Sequence, residues 1–331
     1  MQGMDSVWWT DVAGWSAAHW ERWDQIVNAE GEGSFHLDSR TVRALFADRE
    51  RKVSALVWHA SGSPDDPAAW RGVALVEDTF AESHGVEKHL ASRSWGFRLA
   101  SRVLHGQDGV LRFPVRVMGS VLGSGGHAYR FLPDVDPAIR REQVSSALQA
   151  SLRTHPGPRV ALVKDFPQAA DGFRWHRDWV DLEFDPVMVL PLNPAWNSLE
   201  DYLGELRTKP RTKVKRILAC SEECTLEVLS LAEVEAQLSE LHGLYRQVYG
   251  EASFRLGTLL PEDIVAAKRS WGDAFRVQVI RHGGRLVAFQ CGFLTATTVE
   301  AFFVGFERSM NRDLSLYQRM LLEFIRWGID S

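Results

Sequence analysis

The residues best suited to chemistry lie near the C-terminal end, in VEAFFVGFERSMNRDLSLYQRMLLEFIRWGIDS. Their polar centre supplies two guanidinium groups and several short hydrogen-bonding side chains: Arg308, Ser309, Asn311, Arg312 and Ser315. Such groups bind phosphate, especially beside the unpaired N–H groups and the positive dipole end of a helix N-terminus. This segment therefore predicts a site for a phosphorylated ligand.

A strand, a loop and a helix must position this site. The apolar run Val299–Phe306 is typical of a buried strand, and residues 307–313 predict a polar loop. Residues 314–330 carry the apolar periodicity of a long amphipathic helix. A strand that leads through a polar loop into a helix is the arrangement that exposes helical N–H groups to an anion.

A second group of charges lies in RTKPRTKVKR, residues 207–216, where six of ten residues are basic. A solvated helix face is one interpretation of this run. The other is a clamp for an anionic substrate or cofactor, formed by Arg211, Lys213 and Arg216.

Length and composition narrow the class of protein. A chain of 331 residues favours two domains, and its net charge of −5 argues against a general polyanion binder. Three cysteines make no disulfide framework, and Cys220 and Cys224 have no nearby histidine, so we expect no metal site. No apolar run reaches the roughly 18 to 20 residues that span a bilayer, and no secretory signal is present. We expect a cytoplasmic protein.

The two halves of the chain repeat one order of elements. The first half predicts helices at 12–29, 38–49, 88–104 and Pro137–Thr154, and strands at 52–60, 72–80, 111–119 and 159–166. The second half predicts helices at 196–218, interrupted by Pro210, and at Leu231–Tyr249 and Pro261–Trp271. A strand at 225–231 and three strands within 275–306, with a Gly283–Gly284 hairpin, complete it. This repetition predicts two copies of one α/β unit. They comprise residues 1–190 and 191–331 and are joined at a proline-rich connection.

This tandem order resembles the FemAB-like branch of the GNAT acyltransferase superfamily. RLVAFQCGF followed by VEAFFVGFE is similar to the paired central strands of a GNAT unit, and SLYQRMLLEFIRWGID resembles the helix after its cofactor loop. The junction from VALVKDF to the basic run resembles the family's strand-to-helix pattern. Its matching residues are Tyr202, Leu203, Leu206, Lys209, Arg211 and Arg216.

The resemblance implies an α/β (α+β) fold of two tandem GNAT-like domains, each a mixed, mostly antiparallel sheet flanked by helices. Members of the family continue past the helix at 314–330 with another strand. We therefore expect the C-terminal domain to lack its last strands, or another subunit to complete the site.

The resemblance also implies acyl transfer from acetyl-CoA or another acyl-CoA to an amine on a small molecule or a cell-envelope precursor. The backbone of the central strand would hold the pantetheine arm, here at Phe303, Val304, Gly305 and Phe306. The pyrophosphate would lie on Arg308, Ser309, Asn311, Arg312 and Ser315.

Acyl transfer to an amine also needs a base and a proton or hydrogen-bond donor. Glu300 and Glu307 flank the strand, and their odd separation predicts that they point to opposite faces. Glu307 is nearer the expected acyl group. Tyr317, in the first turn of the helix, is a candidate donor, although a core-facing aromatic ring is an equal alternative.

Two other functions remain open. Some FemAB relatives take amino acids from charged transfer RNA, so an aminoacyl-tRNA-dependent aminoacyl transferase is the first, with residues 207–216 contacting the RNA. The second is a non-catalytic GNAT-like protein that binds a partner or metabolite.

Overall fold

The chain divides into two compact units, which this computed structural model describes at residues 4–31, 33–48, 51–60, 62–83, 111–165, 179, 187–252 and 254–331. One unit comprises Met1–Val187 with Ser253–Thr258, and the other comprises Met188–Ala252 with Leu259–Ser331. The helix predicted at 88–104 lies outside the described residues.

The helices and the strands of the described residues are numbered separately, each in chain order. The helices are α1 (Ala17–Val27), α2 (Ser39–Ala47), α3 (Pro137–Thr154), α4 (Leu199–Glu205), α5 (Thr208–Cys220), α6 (Leu231–Tyr249), α7 (Pro261–Trp271), α8 (Arg308–Leu314) and α9 (Leu316–Ile329). The strands are β1 (Asp5–Trp9), β2 (Lys52–His59), β3 (Trp70–Ser83), β4 (Leu111–Met118), β5 (Tyr129–Phe131), β6 (Ala161–Val163), β7 (Cys224–Val228), β8 (Phe254–Leu256), β9 (Phe275–His282), β10 (Arg285–Leu294) and β11 (Val299–Phe306).

The sheet of the first unit is buried on both faces. Its strands run β1–β2–β3–β4–β6, with β5 and β8 also pairing with β3, and only the β4–β6 pair is parallel. On β2, Val57 joins a core with Trp23 and Trp70, whereas Trp58 joins a core with Phe131. Neighbouring strand residues point to opposite faces. Helices α1 and α2 therefore cover one face and α3 the other, which explains why Ala55–Trp58 of β2 is an unbroken apolar run.

The second unit has a four-stranded antiparallel sheet in the order β11–β10–β9–β7. The hairpin between β9 and β10 turns at Gly283 and Gly284, whose φ angles are 57° and 78°. A two-residue hairpin of this hand requires positive φ at both positions, which glycine adopts without strain. The predicted Gly283–Gly284 hairpin is confirmed.

Helices cover both faces of β11. On one face α6 approaches so closely that a Cβ on Gly305 would lie 2.5 Å from the backbone nitrogen of Tyr245 and 2.4 Å from Phe289 Cε1. On the other face Leu316 and Met320 of α9 are buried in a cluster that includes Val304 and Phe306 of β11. The strand is thus fixed between two helical layers.

The predicted α/β class, with mostly antiparallel mixed sheets flanked by helices, is confirmed. Three predicted helices, Pro137–Thr154, Leu231–Tyr249 and Pro261–Trp271, begin and end at the predicted residues. The short strands β1, β5 and β8 were not predicted, because segments of three to five residues show too little periodicity without their partner strands.

The polar loop predicted at 307–313 is wrong, because α8 occupies most of it. The segment contains no glycine or proline, and its residues Met310 and Leu314, four apart, pack against the core beside α9. A helical turn buries both side chains at once. The following helix begins at Leu316 because Ser315 adopts a left-handed conformation, with φ of 51°.

The break predicted at Pro210 lies elsewhere. The chain leaves helical geometry at Leu206 and Arg207, and Pro210 lies in the first turn of α5. A proline is tolerated there because the first-turn N–H groups have no partner within the helix. Ser198 caps the start of α4, because its Oγ accepts from the backbone N–H of Asp201 at 3.2 Å.

No helix within the described ranges combines the length and apolar character that crossing a bilayer requires.

Replacing Gly305 with alanine tests the close packing of β11 on α6. The added Cβ would meet helix backbone that cannot give way, so we expect the free energy of unfolding to fall by about 2–3 kcal/mol. The midpoint of urea denaturation measures this. Gly243→Ala is the matched control, since a Cβ there meets nothing within 4 Å. That change should stabilise the helix by about 0.5–1 kcal/mol. An unchanged or raised midpoint for Gly305→Ala would contradict the packing argument.

Candidate functional site

The feature that distinguishes β11 is an open backbone edge. It pairs with β10 on one side, and no strand of the described residues pairs with it on the other. Unpaired N–H and C=O groups along a strand edge are strong binding groups for another extended chain or for an amide-bearing ligand.

The register shows which residues present those groups. The Glu307 N–H donates to the Val287 carbonyl at 2.8 Å, which extends the β10–β11 ladder by one step. Backbone groups alternate between the two sides of a strand, so Gly305 and Phe303 also face β10. The backbone groups of Val304 and Phe306 therefore point to the open edge.

The side chains of this segment are occupied by packing. Phe303 meets the Tyr245 ring edge-to-face at 5.4 Å, and Gly305 lies against α6. Val304 and Phe306 pack into the cluster beneath α8 and α9. Of the four residues predicted to hold the pantetheine arm, only Val304 and Phe306 present backbone groups to the open edge.

A bulge in β11 changes where the two predicted bases point. Cys291 pairs with Phe303 and Gly292 pairs with Ala301, so Phe302 is an extra residue. The extra residue shifts the alternation by one, and Glu300 and Glu307 therefore lie on the same face of the sheet. The prediction of opposite faces is wrong for this reason. They are about 20 Å apart along the strand, too far to act on one bond.

Glu307 lies at the end of the open edge and is held by two neighbours. Its Oε2 accepts from Arg285 at 3.0 Å, and its Oε1 accepts from the Ser309 hydroxyl at 3.0 Å. Its side chain is 19% exposed. Ser309 is thereby committed to positioning this carboxylate.

The predicted phosphate site at the start of α9 is partly capped from within. Asn311 Oδ1 accepts from the backbone N–H of Tyr317 at 2.9 Å, taking one first-turn donor. The Arg308 N–H donates to Gln247 Oε1 at 3.2 Å, and its guanidinium pairs with Glu251. Arg312 is exposed in the last turn of α8. Arg312 is thus the more available of the two predicted arginines.

Tyr317 is 41% exposed, so its ring is not a core-facing aromatic. The ring lies 6.0 Å from that of Phe306, whose backbone faces the open edge. Glu307 and Tyr317 are therefore at the same end of β11.

The three residues of the basic run that were predicted to bind substrate have different surroundings. The Arg211 guanidinium donates to the carbonyls of Gly204 and Leu206, both at 2.7 Å, and so closes the C-terminal end of α4. Lys213 and Arg216 are exposed on α5. Among the three residues predicted to bind substrate, these two are free to contact a ligand.

A buried ionic network holds α9 against α5 and was not predicted. Arg319 Nε donates to Glu323 Oε1 at 2.9 Å, and its Nη1 donates to Ser221 Oγ at 3.1 Å. Arg326 approaches the same carboxylate at 3.5 Å. The i, i+4 spacing of Arg319 and Glu323 is a signal in the sequence, but an exposed helical pair has the same spacing.

Comparisons with known proteins relate the C-terminal part of the chain to a described family. Residues 205–331 match the family model described as "Acetyltransferase (GNAT) domain". The C-terminal part of the chain thus carries a GNAT acetyltransferase domain, which supports transferase activity. Two strains of Mycobacterium tuberculosis, CDC 1551 / Oshkosh and ATCC 25618 / H37Rv, contain a similar protein named "Putative 8-amino-7-oxononanoate synthase 2". It is 29% identical over 126 residues, which are 38% of this chain and 16% of the relative, so the chain spans a small part of that protein.

Among solved structures, a similar chain is the "C-terminal Domain (DUF2156) of Putative Lysylphosphatidylglycerol Synthetase" from Agrobacterium fabrum. The identity is 16%, the match covers 40% of this chain and 42% of the other, and the TM-score is 0.28. That score is too low to carry a structural argument.

The pH dependence of stability tests how β11 is held to β10. The fully buried Cys291 thiol donates to the Phe303 carbonyl at 3.5 Å, and burial raises the pKa of this thiol to about 12. In the unfolded chain the pKa is about 8.5. The thiol's contribution is therefore fully present below pH ~8.5 and is lost as pH rises towards 12.

We expect the difference in unfolding free energy between the native protein and Cys291→Ala to shrink above pH ~9, by at most about 1.4 kcal/mol per pH unit. Urea denaturation of both proteins between pH 7.5 and 10.5 measures it. Cys220→Ala, at a half-buried thiol, is the control and should show a smaller pH dependence. A difference for Cys291→Ala that stays constant with pH would contradict the assignment.

Proposed function

We propose that this protein transfers an acyl group from acyl-CoA to an amine acceptor. The observation that carries the proposal is the open edge of β11, where the backbone groups of Val304 and Phe306 face away from β10. The pantetheine arm of an acyl-CoA contains two amides in an extended chain. Such an arm pairs with a strand edge as another strand would.

The phosphates of the donor would lie beyond the end of the strand. Arg312 offers an exposed guanidinium there, and the start of α9 offers first-turn N–H groups. Asn311 Oδ1 already accepts from the N–H of Tyr317, so the phosphate would use the other first-turn N–H groups. Ser315, at the junction of α8 and α9, sets the direction in which those N–H groups point.

The thioester supplies the activated acyl group, and the residues of the chain position the reactants and move protons. Glu307 accepts a proton from the amine as its nitrogen attacks the thioester carbon. The C–S bond then breaks, and Tyr317 donates its hydroxyl proton to the leaving sulfur. Glu307 is assigned the base rather than Glu300 because it shares the Phe306 end of β11 with Tyr317.

The acceptor is an amine on a small molecule or a cell-envelope precursor. Arg211 is not assigned to the acceptor, because its guanidinium donates to the carbonyls of Gly204 and Leu206.

Binding of acetyl-CoA tests the strand edge. Acetyl-CoA should raise the melting temperature, because a ligand that binds only the folded state stabilises it. Val304→Pro removes an outward N–H without removing a ladder bond, and should weaken binding at least tenfold. Val304→Ala keeps that N–H and is the matched control, with binding near that of the native protein. Isothermal titration calorimetry measures both. Equal affinities of the two variants for acetyl-CoA would contradict the assignment of the strand edge as the binding site.

The proton-transfer roles are tested by release of free CoA thiol with a panel of amines. Glu307→Gln keeps the contacts to Arg285 and Ser309 but cannot accept a proton, so kcat should fall about 10²-fold or more. Tyr317→Phe should lower kcat about tenfold or more, with little change in KM. Glu300→Gln, remote from both groups, is the control. A loss for Glu300→Gln larger than that for Glu307→Gln would reassign the base.

A further inference from the structure

Three exposed basic side chains of α5 lie in a row on one side of the helix. At about 100° per residue, Lys209, Lys213 and Arg216 fall within about 60° of one another around the axis. They span about 10 Å along it. We call these three residues the α5 basic row. Lys215 is equally exposed but lies about 120° away around the helix.

The row carries uncompensated charge. Lys209, Lys213 and Arg216 are all exposed, and none forms an ion pair with any residue in the described ranges. Three positive charges on neighbouring turns repel one another, so the row costs stability unless an anion binds there. A bound anion would relieve this repulsion, so the row is suited to an anionic ligand.

The helix that presents the row is held rigidly. Val214 and Ile217, which lie beside the row around the helix, are buried with Leu203 and Leu322. The contacts of Arg211 to the carbonyls of α4, and of Arg319 to Ser221, fix its two ends. A charged row on a fixed helix binds with less loss of entropy than the same charges on a loop.

The position of the helix links the row to the donor site. Helix α5 contacts both α8, which carries Arg312, and α9. Packed helices lie about 8–10 Å apart, which is within the length of a nucleotide that carries several phosphates. The run predicted to bind substrate and the arginine predicted to bind cofactor are thus on neighbouring helices of one unit.

The size of the row favours a compact ligand. A nucleic-acid surface neutralises many phosphates, and a chain with net charge −5 repels a polyanion elsewhere on its surface. We propose that the α5 basic row binds the phosphorylated nucleotide end of the acyl donor, with the ribose 3′-phosphate as its main contact. This inference rests on the proposed function, because it assumes that CoA binds.

The test compares CoA with 3′-dephospho-CoA, which lacks only that phosphate, by isothermal titration calorimetry on the full chain. The native protein should bind CoA about tenfold or more tightly than 3′-dephospho-CoA. In Lys213→Gln/Arg216→Gln the two ligands should bind with nearly equal affinity. Lys215→Gln, which removes one positive charge outside the row, should keep the native preference. Circular dichroism and melting temperatures confirm that all variants are folded.

The outcomes separate this inference from the proposed function. If the native protein binds neither ligand, the acyl-CoA proposal fails and this inference fails with it. If it binds both ligands equally, or if the double variant keeps the native preference, the acyl-CoA proposal stands and the assignment of the row is wrong. If transfer RNA binds and only the double variant loses it, with CoA binding unchanged, the row is a nucleic-acid surface and the inference is likewise overturned.

Discussion

The packing of β11 between two helical layers is the constraint on which the site depends. There is no room for a side chain at Gly305 beneath α6, and the side chains of Val304 and Phe306 pack into the apolar cluster under α8 and α9. With the side chains used on both faces and one ladder made with β10, the strand can bind a ligand only through its outer backbone edge. In the proposed function this edge pairs with an extended amide-bearing chain, and the residues at the end of the strand carry out the chemistry.

Those end residues are held in place by a few charged contacts. Arg285 and Ser309 fix both oxygens of Glu307, and Asn311 caps the first turn of α9. Deeper in the unit, Arg319 and Glu323 anchor α9 to the end of α5 at Ser221. A buried ion pair adds little net stability, but it specifies one arrangement of the two helices strongly, because breaking it leaves an unpaired charge in the core.

Much of the second unit could be predicted from local pattern. The capping box of Ser230 and Glu233, the proline at the start of α7 and the Gly283–Gly284 turn each mark an element boundary by their own chemistry. The polar stretch after β11 was mispredicted because its helix depends on burying Met310 and Leu314 against α9, a partner that the local sequence does not reveal. Arg211 was assigned to substrate for the same reason, since its carbonyl partners belong to another helix.

By itself the sequence determined the α/β class, the ends of three helices, the hairpin and the residue types available for chemistry, because these depend on periodicity and on backbone preferences within a few residues. Only the tertiary structure decided which of those residues can act. The bulge at Phe302 placed Glu300 and Glu307 on one face. Within the described part of the chain β11 pairs with β10 alone, which left an open edge. Packing against α6 and α9 restricted that edge to its backbone. These outcomes depend on contacts between distant segments, so no local pattern carries them.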